Sequence, residues 1–250
     1  MTMTVFQWNV WYKEDPQKIV NLIKQYNPDV ICAQELIQHF QTKPEIDTAK
    51  QIAREIGYHY YFHYADRWTN RSEKETQGNA IFSKLPIVKT KHHFLHQPKT
   101  DPINATEEGR VLVEVTINIA GKELTFGTTH LSFTPFFEMT VQRRKEAKNL
   151  VKYLATQISA PYVFTGDLNA TPDSFLVKEL EKLSTFKSAG PDPSVKTWTT
   201  KPFAKQGFVA DELNWRLDYV FVTRDIGVNQ AEVISTDVSD HLPLLVELTI

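Results

Sequence analysis

The sequence predicts a single α+β domain over residues 1–250, built from two packed β-sheets covered on the outside by helices. Three observations carry that reading. Segments with a helical period occur in both halves, mixed strands apolar on one face fill the middle, and no Gly/Ser-rich or Pro-rich stretch separates the halves. With 41% hydrophobic and 23% charged residues over 250 positions, the chain is long enough for a substantial core and too apolar for disorder.

The elements follow in order. "TVFQWNV" (4–10) alternates as a strand. "DPQKIVNLIKQYNPD" then places Ile19, Leu22, Ile23 and Tyr26 at helical spacing, with Asp15-Pro16 as its N-cap pair and Asn27-Pro28 as its stop. "VICAQE" (30–35) is a short apolar run ending in a carboxylate. A second helix is predicted through "EIDTAKQIAREIG", with Ile46, Ala49, Ile52, Ala53 and Ile56 on one face and Gly57 closing it. "YHYYFHY", "GNAIFSK", "IVKTKHHF", "RVLVEVTINIA" and "KELTFGTTHL" read as strands, the last two joined across Asn118 to Gly121 as a hairpin.

Helical periodicity returns at 138–158, where Val141, Ala147, Leu150, Val151, Leu154 and Ile158 form a stripe. Beside it, "QRRKEAK" (142–148) reads as a solvated face or a basic rim. "PYVFTGDLN" is a strand, "DSFLVKELEKL" opens a helix, and "RLDYVFVT", "NQAEVIST" and "LPLLVELTI" close the chain as strands.

A net charge of −2 gives no basic footprint of the kind dedicated nucleic-acid binders show, although a local basic rim around an acidic site would vanish in the sum. The single cysteine, Cys32 in "DVICAQE", excludes an intramolecular disulfide and reads as a small buried hydrophobe. "MTMTVFQWNV" has no basic leader region, and no run approaches the ~20 apolar residues of a membrane span. The expected protein is cytoplasmic and monomeric, with no stable protein partner and no transmembrane segment.

Polar groups sit at the ends of the apolar runs: Asn9 after "VFQW", Glu35 after "VICAQ", His130 after "TFGTT", and Asp167 with Asn169 in "GDLNATPDS" after "YVFT". Asp218 is embedded in "RLDYVFV", where an unpaired charge would be costly, and Asp240 and His241 precede the last strand. Singly, each has a bland alternative: a turn, a structural ion pair or a satisfied core histidine. Together they supply what a hard divalent ion and a phosphoryl group require, since Mg²⁺ is held by one or two carboxylates and retains water. No Cys/His cluster for structural zinc competes with that reading.

The segments "QWN", "AQE", "GNAIFSKLPI", "TTHL", "TGDLNATPDS", "RLDYVFV" and "SDHLPLLVEL" occur in the order found in the endonuclease/exonuclease/phosphatase family, which the chain resembles from residue 8 to residue 248. The resemblance implies a deoxyribonuclease I-like four-layer α/β/β/α sandwich of two mixed β-sheets flanked by helices. It also implies Mg²⁺- or Mn²⁺-dependent hydrolysis of a phosphoester: nucleic acid, nucleotide, phospholipid head group or sugar phosphate.

By the same resemblance, Glu35 would be the principal metal ligand, with Asn9 and Asp240 helping to hold metal and phosphate. Asp167 would position or deprotonate the attacking water, and Asn169 would donate to a non-bridging oxygen. His241, oriented by Asp218, would contact the phosphate or take a proton from water. His130 would contact the phosphate or protonate the leaving oxygen.

Arg110 in "EEGRVLVEV" is a further candidate substrate contact, against the alternative of a surface charge at a strand start. The resemblance also implies that the segment before "RLDY" approaches the site, which makes Trp198, Phe203, Phe208 and Trp215 of the aromatic loop 197–216 candidates to shape substrate access, against the alternative of core packing, which is favoured for Trp215. Trp11, two positions after Asn9, replaces the acidic residue of the abasic-site repair branch, and His130 stands where that branch has a tyrosine. Both point away from that branch.

"HHFLH" (92–96) does not read as a metal site, because alternation puts His92 and His96 on one strand face and His93 on the other. His59 and His63 read as polar members of an aromatic strand. The leading expectation is a metal-dependent phosphodiesterase or phosphatase. The alternatives are a sequence-independent nuclease on DNA or RNA and, from another class, a non-catalytic phosphate-binding module.

Overall fold

The computed structural model describes residues 1–39, 46–70, 74–104 and 107–250. In chain order these give β1 (Thr2–Asn9), α1 (Pro16–Tyr26), β2 (Val30–His39), α2 (Thr48–Ile56), β3 (His59–Trp68), β4 (Glu75–Ser83), β5 (Ile87–His96), β6 (Arg110–Ile119) and β7 (Lys122–His130). A short 3-10 turn at Pro135–Phe137 leads to α3 (Val141–Thr156), β8 (Tyr162–Asp167), α4 (Phe175–Glu181) and β9 (Phe186–Ser188). The chain ends with β10 (Phe203–Lys205), β11 (Phe208–Ala210), β12 (Asp218–Thr223), β13 (Gly227–Val233) and β14 (Leu244–Thr249).

Two six-stranded sheets result, one ordered β13-β14-β1-β2-β4-β3 and the other β5-β6-β7-β8-β12-β9. Both are mixed. The crossover through α1 makes β1 and β2 parallel, the crossover through α3 makes β7 and β8 parallel, and the other pairs are antiparallel. Along the interface, β3 packs on β6, β2 on β7, and β1 on β8 and β12.

Alternation along the strands explains the layers. In β1, Met3 and Val5 enter the inter-sheet core with Val30, Cys32, Ile81, Val113, Phe126 and Val163. Phe6 and Trp8 point the other way, under Ile19 and Ile23 of α1 and Ile52 of α2. On the far side, Leu112 and Phe164 meet Leu150 and Leu154 of α3 and Leu176 of α4. The result is the four-layer α/β/β/α sandwich. Cys32 lies in the middle of it, and burial pushes its thiol up to about 12.

The predicted caps form. Asp15 accepts from the Gln17 N–H at 2.9 Å, Asp47 accepts from the Lys50 N–H at 2.9 Å, and Asn27 and Gly57 close their helices in the left-handed region. Helix α2 starts at Thr48, so Ile46 precedes it, and Glu45 of the predicted segment lies outside the described residues.

Helix α3 departs from its predicted stripe. Its buried face runs Arg143, Ala147, Leu150 and Leu154, whereas Val141 is 89% exposed. Steps of four, three and four residues keep 143 in phase, and Val141, about 200° away, falls on the outer face. "QRRKEAK" is therefore not uniformly solvated, because Arg143 and Glu146 are buried.

β9, β10 and β11 were not predicted; each is three residues long. Among the described residues, no helix is long and apolar enough to cross a membrane.

Candidate active site

The two parallel pairs deliver their C-terminal ends to one edge of the sandwich. β1 ends at Asn9, β7 at His130 and β8 at Asp167, while Asp218, at the start of β12, lies opposite Asp167 in register. Asp240 and His241 enter from the segment before β14. Each sheet thus contributes half of the cluster.

Glu35 reaches this edge through a bulge. Ala33 pairs with Ala80 and Leu36 with Gly78, so Gln34 and Glu35 together oppose Asn79. The extra residue turns Glu35 into the left-handed region at φ 62, which for a side chain of this kind costs on the order of 1–3 kcal/mol. Two hydrogen bonds hold it there: Asn9 Nδ2 donates to Oε1 at 3.0 Å and the Tyr12 N–H to Oε2 at 3.3 Å. Gly78 is required opposite, because a Cβ there would run into the backbone of His63 and Tyr64.

Asn9 Nδ2 also donates to Asp167 Oδ2 at 3.0 Å, joining the sheets. The other Asp167 oxygen accepts from the Asn169 N–H at 2.9 Å, in a left-handed turn that suits asparagine. Asp167 Oδ2 lies 3.4 Å from His130 Nε2 and 3.5 Å from His241 Nε2. His241 Nδ1 lies 2.9 Å from Asp218 Oδ2. Asp167, His241 and Asp218 offer atoms within 4.8 Å of one another. Because both His241 nitrogens already face carboxylates, the three form a carboxylate–imidazole–carboxylate chain rather than a cage open to an ion.

The two imidazoles carry opposite electrostatics. Burial alone would lower His241, but Asp218 and then Asp167 outweigh it and raise it to about 10, so it is an imidazolium at neutral pH. His130 is pushed down to about 4, chiefly by burial, and is neutral. Its Nε2 faces Asn169 Nδ2 at 3.0 Å and accepts from it, which places the ring proton on Nδ1. Asn169 Nδ2 donates its other hydrogen to Leu131 O at 2.9 Å.

Burial, and then the Asp240 carboxylate, push Glu35 up to about 7. Four carboxylates thus share the edge with one imidazolium. Glu35, Asp240 and Asn9 offer oxygen donors where this negative charge is least compensated, which fits a hard divalent ion.

Supporting residues lie inside the motifs without having been singled out by the sequence. Gln7 and Gln34 form a reciprocal amide pair at 2.7 and 3.1 Å, and Gln34 Nε2 reaches Thr128 Oγ1 at 2.7 Å. Gln7 also reaches Asp218 Oδ1 at 3.4 Å. Ser239 Oγ donates to Asn9 O at 2.7 Å, and Trp8 Nε1 donates to His241 O at 3.0 Å. Arg143 reaches across from α3 to the Asn169 carbonyl. The signal for Arg143 was its phase with Ala147 and Leu150.

Trp198 lines the cavity but is only 3% exposed; its indole N–H donates to Asp240 Oδ2 at 3.2 Å, and its ring packs with Phe133, Phe203 and Phe208. Trp215, packed on Phe137, belongs to the same aromatic group. Arg110 is no surface charge. It is buried in the cavity wall, donating to Ser132 Oγ at 2.9 Å, Gly109 O at 2.9 Å and Glu108 Oε2 at 2.7 Å.

Outside the site, His92 stacks on His63 and His93 on Tyr153. The β5–β6 pairing shifts register between Phe94 and His96, so simple alternation does not extend to His96.

The cavity over this edge has a volume of about 540 Å³. Its far wall carries Lys201, whose Nζ pairs with Glu14 at 2.6 Å, donates to Val238 O at 3.2 Å and lies 4.5 Å from the centre of the Trp11 ring.

A family model described as "Endonuclease/Exonuclease/phosphatase family" matches residues 6–241. Nocturnin of Xenopus laevis is 22% identical over 258 residues; the match covers 95% of this chain and 65% of that protein, so the chain spans under two thirds of its length. An endonuclease/exonuclease/phosphatase structure from Beutenbergia cavernae DSM 12333 superposes with a TM-score of 0.79 at 20% identity, covering 99% of this chain and 71% of the other. A mannosyl-6-phosphatase from Bacteroides thetaiotaomicron superposes with a TM-score of 0.70 at 18% identity, covering 99% of this chain and 100% of the other.

Proposed function

Because the chain belongs to the endonuclease/exonuclease/phosphatase family, we propose that it is a divalent-metal-dependent phosphoester hydrolase acting at the Glu35–Asp167–His241 edge. The observation that carries this reading is the convergence, from two sheets, of four carboxylates, two amides and two differently charged imidazoles on one cavity floor. The name of one structural relative, a mannosyl-6-phosphatase, is consistent with phosphoester chemistry.

Glu35 and Asp240, with Asn9, would hold Mg²⁺ or Mn²⁺; when bound, the ion supplies positive charge to the phosphate oxygens and offsets the carboxylates around it. The chain's own groups divide the remaining work. His241 already carries its proton and is held at Nδ1 by Asp218, so it serves as a cationic donor to the phosphate once its Nε2–H, 3.5 Å from Asp167 Oδ2, turns to a phosphate oxygen. That leaves Asp167 to orient the attacking water and take its proton.

A neutral His130 that accepts at Nε2 supports its role in phosphate contact through Nδ1–H, which lies 4.0 Å from Glu35 Oε1, over protonation of the leaving oxygen. Both Asn169 amide hydrogens face protein acceptors, so donation to phosphate requires His130 Nε2 to give one up.

The test is hydrolysis of 4-nitrophenyl phosphate and bis(4-nitrophenyl) phosphate with Mn²⁺ or Mg²⁺, and with excess EDTA. Glu35→Ala, Asp167→Ala and His241→Ala are each expected to abolish turnover in a protein that still folds. Full activity in any of them, or in EDTA, overturns the assignment. A cut plasmid in a parallel reaction would mark the protein as a nuclease.

A further inference from the structure

Helix α3 carries cations on its outer face that the fold leaves unneutralised. We propose that this face is a docking surface for an anionic lipid bilayer, and that docking holds the active-site edge beside the membrane.

At about 100° per residue, Arg144, Lys145, Lys148 and Lys152 fall within an arc of about 100° around the direction of Val141, opposite the buried Arg143, Ala147, Leu150 and Leu154. All five residues of the arc are exposed, Val141 at 89%. From Arg144 to Lys152 the stripe runs about 12 Å along the helix axis. The helix has one carboxylate, Glu146, and it faces inward onto the Ser132 hydroxyl.

Among the described residues, none of the four cations is in an ion pair, in contrast to the other helices: Lys18 pairs with Glu14, Lys24 and Arg54 with Glu55, and Lys182 with Glu179. Arg144 and Lys148, and Lys148 and Lys152, stand four residues apart, a spacing at which like charges destabilise a helix. A chain of net charge −2 therefore gathers uncompensated positive charge on one helix face. Lys91 of β5 and Lys178 of α4, elements packed against α3, add to it. The exposed carboxylates of the flanking segments, Glu138, Asp173 and Glu181, are too few to balance these six cations.

What the stripe lacks decides the partner. Nucleic-acid backbones are held by hydroxyl, amide and N–H donors as well as by cations, and single strands by aromatic faces. Here the polar neighbours are engaged: Gln142 with Glu146, Asn149 with Leu95 O, and the Thr140 hydroxyl with the Arg143 N–H. Three of the four cations are lysines, point charges without the arginine fork, which suit a diffuse negative potential. Val141, in the middle of the arc, gives a phosphodiester backbone nothing. In a bilayer, it and Phe136, 62% exposed in the turn before the helix, bury apolar surface at the headgroup boundary. That apolar end is the one nearest the cavity, since Arg143 reaches the Asn169 carbonyl.

The experiment is co-sedimentation of the full chain with phosphatidylcholine vesicles, with and without about 30 mol% phosphatidylserine, at about 0.05 M and about 0.5 M NaCl. Binding is expected only with phosphatidylserine, and is expected to weaken tenfold or more at the higher salt. Replacing Lys145, Lys148 and Lys152 together by glutamine should weaken it about 100-fold, at one lysine's contribution each. Val141→Ser should weaken it severalfold. Thermal unfolding of both variants confirms that they fold. Fluorescence anisotropy of a single-stranded DNA oligonucleotide in the same buffers tests the other polyanion. The inference is overturned by absent or equal binding to the two vesicle types, by a triple variant that binds like the parent, or by a stripe that holds the oligonucleotide and not the vesicles. Neither readout involves turnover, so failure here and failure of the hydrolase reading are separate results.

Discussion

Replacing Glu14 by glutamine tests the tether that fixes the lysine wall of the cavity. The Glu14 side chain is 7% exposed and pairs with Lys201 at 2.6 Å and Lys18 at 3.1 Å. Burial alone would raise its carboxyl, but the hydrogen bonds from Lys201, the Asp15 N–H and Lys18 outweigh it and bring it from 4.5 down to about 2. A depressed carboxyl contributes stability that is fully present above its unfolded value and is lost as pH falls through its folded value. The difference corresponds to about 3 kcal/mol at pH 7, of which roughly 2 kcal/mol has gone by pH 3.

The assay is urea unfolding of the protein and of Glu14→Gln, followed by tryptophan fluorescence, at pH 7 and pH 3. The gap in unfolding free energy is expected to be about 3 kcal/mol at pH 7 and about 1 kcal/mol at pH 3. Subtracting the variant removes the other carboxylates, which titrate in both proteins. A gap that does not change with pH, or no gap at pH 7, refutes the reasoning.

Three further outcomes are expected. Asp218→Asn should lower phosphoester turnover on the order of 10⁴-fold, by analogy with loss of a carboxylate behind a catalytic histidine, and should bring the His241 imidazole well below about 10 in an NMR titration. Trp198→Phe keeps the ring packing but removes the N–H on Asp240; stability should fall by about 1.5–3 kcal/mol in urea unfolding and Mn²⁺ binding should weaken in calorimetry. Cys32, buried and with its thiol pushed up to about 12, should resist a thiol-specific chromogenic reagent at pH 8 until urea unfolds the chain.

Most of the architecture was legible because it rests on local periodicity. The alternation of β1 separates Val5 from Phe6, and the Asp15-Pro16 and Asn27-Pro28 pairs bracket α1. The acidic and amide residues at strand ends were visible for the same reason: an apolar run that stops at a carboxylate marks where a strand leaves the core.

What stayed hidden depends on partners distant in sequence. The bulge that aims Glu35 exists only because β4 offers Asn79 alone against Gln34 and Glu35. The three-residue strands β10 and β11 are too short to show a period and pair around Gln206 and Gly207 next to an aromatic cluster. Arg143 looked solvated because it is charged, yet its acceptors, the Thr134 hydroxyl and the Glu138 and Asn169 carbonyls, come from other segments.

The split origin of the cluster has a mechanical corollary. Asn9, Glu35, Asp240 and His241 move with one sheet, and His130, Asp167, Asn169 and Asp218 with the other, so a slide of about 1 Å between the layers would misalign donors and acceptors that now meet at 2.9–3.5 Å. Turnover should therefore act as a strain gauge for the interior. Shaving a methylene from the inter-sheet core, far from any reacting atom, should register in catalysis before it registers in the melting curve.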